Sequence, residues 1–144
     1  MSRLSRPSLC SLLSALVLVL GACGEGTPPS PEATDDGHDH AAAKASGAAC
    51  PPGSTLTAEN FGMGFMEAYC TSCHSSARQG AARGGAPVDL NYDTVADVRR
   101  WAADIDKHAA AGPLSENTLM PPSLPLPTLP LREQLGQWLA CGAP

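Results

Sequence analysis

The apolar positions of this chain fall into blocks separated by long polar or proline-rich stretches. Three blocks carry the 3.6-residue period of amphipathic helices. Phe61, Phe65, Ala68 and Tyr69 share one face of a helix that Thr57 can cap, with Glu59 in its first turn and an end near Cys70. Val95, Val98, Ala102, Ile105 and Ala109 mark a second helix, capped by Asp93, running to about Ala111 and stopped by Gly112-Pro113. Leu131, Leu135, Trp138 and Leu139 mark a third, with Thr128 as cap, Pro130 in the first turn and Cys141-Gly142 at its end. Gly62 and Gly64 weaken the first helix and are tolerable where another helix crosses closely, which makes Trp138 a candidate to pack on Phe61 or Phe65. No βαβ pattern is visible, and the elements read as all-α.

The stretches between the blocks differ in character. Residues 24–49 are rich in Gly, Pro, Ser, Ala and acid, lack any hydrophobic period and read as a disordered tether. As a flexible coil such a segment spans roughly 30 Å. Its His38-Asp39-His40 run could chelate a transition metal, although composition of this kind more often marks a solvated tract. Residues 75–91 form a loop rich in Gly, Ala and Arg. Residues 113–130 contain prolines at 121, 122, 125, 127 and 130, which forbid continuous helix and stiffen the backbone.

A fourth apolar block, Leu9 to Leu20, follows Arg3 and Arg6 and is too short to span a membrane; residues 1–22 read as an export leader. The end of the leader, Leu20-Gly21-Ala22-Cys23, resembles the lipobox of bacterial lipoproteins. That resemblance implies lipidation of Cys23 as the mature N-terminus, and Gly24 after it matches the pattern sent to the outer membrane. Several acyl chains on one cysteine would anchor the protein stably. Loss of the leader takes the formal charge from −5 to −7, and residues 50–144 hold six basic against nine acidic side chains. No basic patch argues for nucleic acid; a protein partner with a positive docking surface suits this charge better.

Aromatic residues make up only 4% of the 144 residues, a thin supply for a free-standing core. Six cysteines sharpen the picture. Cys10 lies in the leader, Cys23 ends it, and Cys70 and Cys73 sit in one motif. Cys50 and Cys141 remain, and in an oxidising compartment they should form a disulfide contributing about 4 to 5 kcal/mol in the chain-entropy view.

The motif is Cys70-Thr71-Ser72-Cys73-His74, the C-x-x-C-H signature of covalent c-type haem. Two thiols three residues apart share one face of a helical turn, where both can bond vinyl groups on one edge of a porphyrin. The adjacent imidazole of His74 can then ligate the iron. C-x-x-C alone also suits a redox dithiol or half of a zinc site, but no second ligand pair completes a zinc set. A buried macrocycle would supply the apolar surface the chain lacks. Met120, in the stiff Met120-Pro121-Pro122 loop, is the only methionine downstream of the motif and the candidate sixth ligand. Met63 and Met66 read as core residues, Trp101 as a packing residue, and His108 as a helix-end histidine that could serve as an alternative ligand. Arg78 and Arg83 are candidates to pair with haem propionates or to stay in solvent.

Helix, C-x-x-C-H, loop, middle helix, Met-Pro loop and aromatic-bearing last helix together resemble the class I cytochrome c domain over residues 50–144. The resemblance implies an all-α fold around one covalent haem with its N- and C-terminal helices crossing. It makes Cys70 and Cys73 the thioether cysteines, His74 the proximal ligand and Met120 the distal one. With both axial positions filled, the implied activity is one-electron transfer to protein partners, not catalysis, by a carrier lipid-tethered in the periplasm. A haem sensor or peroxidase-like enzyme with a displaceable Met120, and a haem-free structural or metal-binding lipoprotein, are the competing readings.

Overall fold

The computed structural model describes residues 43–144. The leader, Cys23 and the His38-Asp39-His40 run lie outside the described residues. Among the described residues the regular elements are helical, with one isolated β-bridge between Ala111 and Glu116, so the fold is all-α. None of these helices is long and apolar enough to cross a membrane.

Thr57 caps the first helical segment. Its Oγ1 accepts the Asn60 N–H at 3.1 Å while Asn60 Oδ1 accepts the Thr57 N–H at 2.8 Å, a reciprocal cap that satisfies two otherwise orphan donors. The expected continuous α-helix opens instead with a wide π turn, Ala58–Gly62, in which the Gly62 N–H reaches the Thr57 carbonyl at 3.0 Å. Helix α1, Met63–Tyr69, follows and ends at Cys70. Phe65 and Met66 are buried in its core face, whereas Ala68, at the edge of the predicted stripe, is exposed.

The predicted second helix is two: α2, Val95–Arg100, and α3, Ala102–Ala109. Trp101 separates them at φ −105°, ψ 14°, outside the helical basin, and is half-buried. The cap is Thr94 and not Asp93, because Asp97 lies three residues after Thr94 and can return the hydrogen bond, as Ala96 could not for Asp93. Asp93 instead accepts the Ser76 N–H at 2.7 Å. Helix α3 stops at Ala109, whose carbonyl is taken by Arg132 Nη1 at 2.7 Å.

Helix α4, Leu129–Ala140, starts with Pro130 in its first turn and buries Leu135, Trp138 and Leu139. The Phe61 and Trp138 rings meet in a T-shaped pair with centroids 6.2 Å apart, the aromatic pairing that the spacing predicts. Phe65, Met66, Val98, Ile105, Leu135 and Trp138 form the centre of the core, each burial stabilising the fold by about 1.5–3 kcal/mol. The chain packs upstream of Cys50 as well: Ser46, in a stretch whose composition reads as tether, is fully buried. Cys50 and Cys141 are joined by a disulfide that closes a loop spanning 91 positions.

Candidate functional site

The end of α1 delivers the C-x-x-C-H motif. Cys70 N–H still bonds the Met66 carbonyl at 2.8 Å, Cys73 N–H the Cys70 carbonyl at 3.1 Å, and His74 N–H the same carbonyl at 2.9 Å. The backbone therefore keeps turning beyond the helix, and Cys70, Cys73 and His74 all line one cavity of about 420 Å³. That size falls in the range of small-molecule and cofactor sites, roughly 300–1,000 Å³. The cavity wall is mostly apolar, with Tyr69, Leu90, Tyr92, Ile105, Ala109, Leu124 and the prolines at 121, 122 and 125.

His74 is 8% exposed and fixed from two sides. Its Nδ1 donates to the Leu90 carbonyl at 3.1 Å, and its ring stacks on Tyr92 with centroids 4.8 Å apart. Burial holds the imidazole below its ordinary pKa, and the nearby Arg83 and His108 charges act in the same direction against the Leu90 hydrogen bond. The result is a neutral ring with Nδ1 engaged and Nε2 available as a ligand. Cys70 and Cys73 are both unpaired thiols, and burial pushes the Cys70 thiol up to about 12.

Arg83 is neither exposed nor aimed at a carboxylate. At 3% exposure its guanidinium gathers the loop around itself: Nη1 donates to the Ser75 carbonyl at 2.6 Å and Asn91 Oδ1 at 3.0 Å, and Nε to the Ala86 carbonyl at 3.0 Å. Its Nη2 donates to the Leu90 carbonyl at 3.1 Å, so Arg83 and His74 share one acceptor. Arg78 is exposed.

Met120 lines the same cavity and is half-buried. Its N–H donates to the His108 carbonyl at 2.8 Å, and its own carbonyl accepts from Arg132 Nη1 at 2.8 Å. His108 also lines the cavity, with Nδ1 donating to the Asp104 carbonyl at 2.7 Å. Met66 is wholly buried in the core, and Met63 borders a separate surface cleft with Glu67 and Arg78. No group of three or more His, Cys, Asp and Glu comes together as a metal cluster among the described residues.

The structure thus brings together the four residues that the sequence singles out for haem: Cys70, Cys73, His74 and Met120. This donor set fits such a group, with two unpaired thiols three residues apart, a neutral imidazole with one nitrogen available, a thioether and an apolar wall. Sequence reasoning missed Tyr92, the Leu90 carbonyl and Arg132. Only Arg132 left a readable signal, a charge at the 132/135/139 spacing of a buried stripe. Comparison with known proteins found no matching family model, no matching curated protein and no matching solved structure.

Proposed function

We propose that residues 50–144 form a mono-haem cytochrome domain of the class I type that carries single electrons. Cys70 and Cys73 would hold the haem through thioethers, with His74 and Met120 as its axial ligands. One observation carries the reading: both thiols, the imidazole and Met120 line a single apolar cavity. Haem iron supplies a couple that takes up or releases one electron. The chain supplies the rest. Leu90 and Tyr92 orient His74, His108 and Arg132 hold the backbone of Met120, and the wall around them is mostly apolar. The leader and Cys23 extend the reading to a carrier lipid-anchored in the periplasm, on the outer membrane by the Gly24 pattern, that exchanges electrons with protein partners.

A second reading is favoured by His108 on the same cavity: a haem sensor or peroxidase-like enzyme in which a small ligand displaces Met120. The test is the full chain matured in cells that attach c-type haem. Intact mass should rise by one haem, and the oxidised spectrum should carry a sulfur-to-iron band that resists cyanide. A mass without haem removes the proposal, and ready cyanide binding with loss of the band moves it to the second reading.

A further inference from the structure

Composition assigns the residues before Cys50 to a leash, yet Ser46 is 0% exposed. Its N–H donates to Asp106 Oδ2 at 2.8 Å, and its hydroxyl donates to the other oxygen of the same carboxylate while accepting the Ala48 N–H at 3.1 Å. Its carbonyl accepts from Leu114 N–H at 2.9 Å and Ser115 N–H at 3.3 Å. Two glycines make room for this strap. A Cβ on Gly112 would stand 2.7 Å from both the Ser46 oxygen and the Ala48 nitrogen, and one on Gly136 would stand 2.8 Å from Ala48 Cβ. No methyl group fits at either distance without backbone movement.

The contacts continue toward the cavity. Asn117, buried, donates from Nδ2 to the Lys44 carbonyl and to the Asp106 carbonyl, both at 2.8 Å. Arg132, 3% exposed, donates from Nη1 to the Asn117 carbonyl and the Met120 carbonyl, both at 2.8 Å. The segment from Leu114 to Met120 is therefore hung at one end on Ser46 and at the other on Arg132 and His108. Asp106 and Asn117 join the two suspensions.

We propose that residues 44–48 are a positioning strap for Met120: Ser46, through Asp106, Asn117 and Arg132, fixes the backbone that presents the thioether to the cavity. The inference builds on the reading of Met120 as a ligand, but its physical content is the rigidity of this segment, which can be read without iron. Where the root of the leash is part of the ligand scaffold, detaching it loosens Met120 while α1 and the C-x-x-C-H turn keep their own hydrogen bonds.

The full chain, matured with haem, is compared with Ser46→Ala, the milder Asp106→Asn, and Ser54→Ala as control, since the buried Ser54 hydroxyl has no partner and no link to Met120. Hydrogen exchange at the Met120 amide should be about five- to tenfold faster in both strap variants, the cost of one lost buried hydrogen bond. The Cys70 amide and the control should be unchanged. The sulfur-to-iron band should weaken in parallel, with cyanide binding tighter by a similar factor. Should Ser46→Ala fail to fold, Asp106→Asn carries the same comparison. Unchanged Met120 exchange in the folded variants overturns the strap even if the band is present. Faster exchange in a protein whose wild type shows no band keeps the strap and removes Met120 as ligand.

Discussion

No side chain fits between Gly62 and Trp138: a Cβ on Gly62 would overlap the Cε2, Cζ2 and Cη2 atoms of the indole. Trp138 is 0% exposed, held in the core among Phe61, Phe65 and Leu135. Alanine at position 62 should gain up to about 1 kcal/mol of helix propensity but lose about 1–3 kcal/mol to overpacking, so the clash wins. Gly64 is the internal control, exposed and with nothing within 4 Å of its would-be Cβ. Gly62→Ala should lower the urea midpoint and Gly64→Ala should raise it, the latter by about 0.5–1 kcal/mol of stability. Equal effects of the two would mean that the close crossing is absent in solution.

Periodicity was enough to place Thr57, Phe65 and the Leu135–Trp138–Leu139 face, because burial of an apolar face is a local property of spacing. Side-chain chemistry that answers over three residues decided what spacing could not: the choice of Thr94 over Asp93 turned on Asp97. Ser46 and Arg83 were illegible for a different reason. Each polar group is buried only because carbonyls or a carboxylate elsewhere receive its hydrogen bonds, and partners such as Asp106, 60 positions from Ser46, leave no mark beside it in the sequence. The C-x-x-C-H motif was legible because its pattern is compressed into five adjacent residues, whereas the contact of Arg132 with the Met120 carbonyl is made only by folding.

Two methionines separate packing from ligation. Met66 is 0% exposed in the core, and Met66→Ala should cost about 2–5 kcal/mol of stability while leaving the sulfur-to-iron band in place. Met120 is half-buried at the cavity, and Met120→Ala should abolish the band and lower the reduction potential at modest cost to stability. Spectra and denaturation curves of the pair decide it. A band that survives Met120→Ala transfers the distal position to another side chain, with His108 first to be tested.

Arg83 should matter twice. Arg83→Gln leaves the carbonyls of Ser75, Ala86, Pro87 and Leu90 short of a buried donor, a loss of about 3 kcal/mol by the usual cost of unsatisfied groups. It also gives the Leu90 oxygen wholly to His74 Nδ1, which strengthens that bond and makes the imidazole a better electron donor. In the haem-loaded protein the reduction potential should therefore fall. A redox titration that finds it unchanged in a folded variant would remove the shared carbonyl as a tuning element.

The Cys50–Cys141 bridge ties the start of the helical region to the end of α4 across 91 positions. Cys50→Ala/Cys141→Ala should lose about 4–5 kcal/mol of stability, chiefly through the freedom restored to the unfolded chain. Reductant should bring the wild type down to the same midpoint and leave the variant unmoved. Thioethers are not reduced by thiols, so visible absorbance should survive the treatment. Coincident midpoints of oxidised wild type and variant would show that the bridge does not form.

Asp93 gives the acid side of the stability profile a definite sign. The Ser75 hydroxyl and the Ser76 N–H, the latter at 2.7 Å, donate to its carboxylate and hold its pKa below the ordinary value. A carboxyl depressed in the folded state stabilises the protein fully above its unfolded pKa of about 3.9, and that stabilisation disappears as pH falls through the lower folded value. The difference between wild type and Asp93→Asn should therefore be constant above about pH 5 and shrink as the pH drops below about 4. Because Asp93 is only half-buried, added salt should reduce the difference without changing its direction. Denaturation midpoints of the two proteins across this range provide the check, and a gap that widens on acidification would mean that the Ser75–Ser76 turn is not held by the ionised carboxylate.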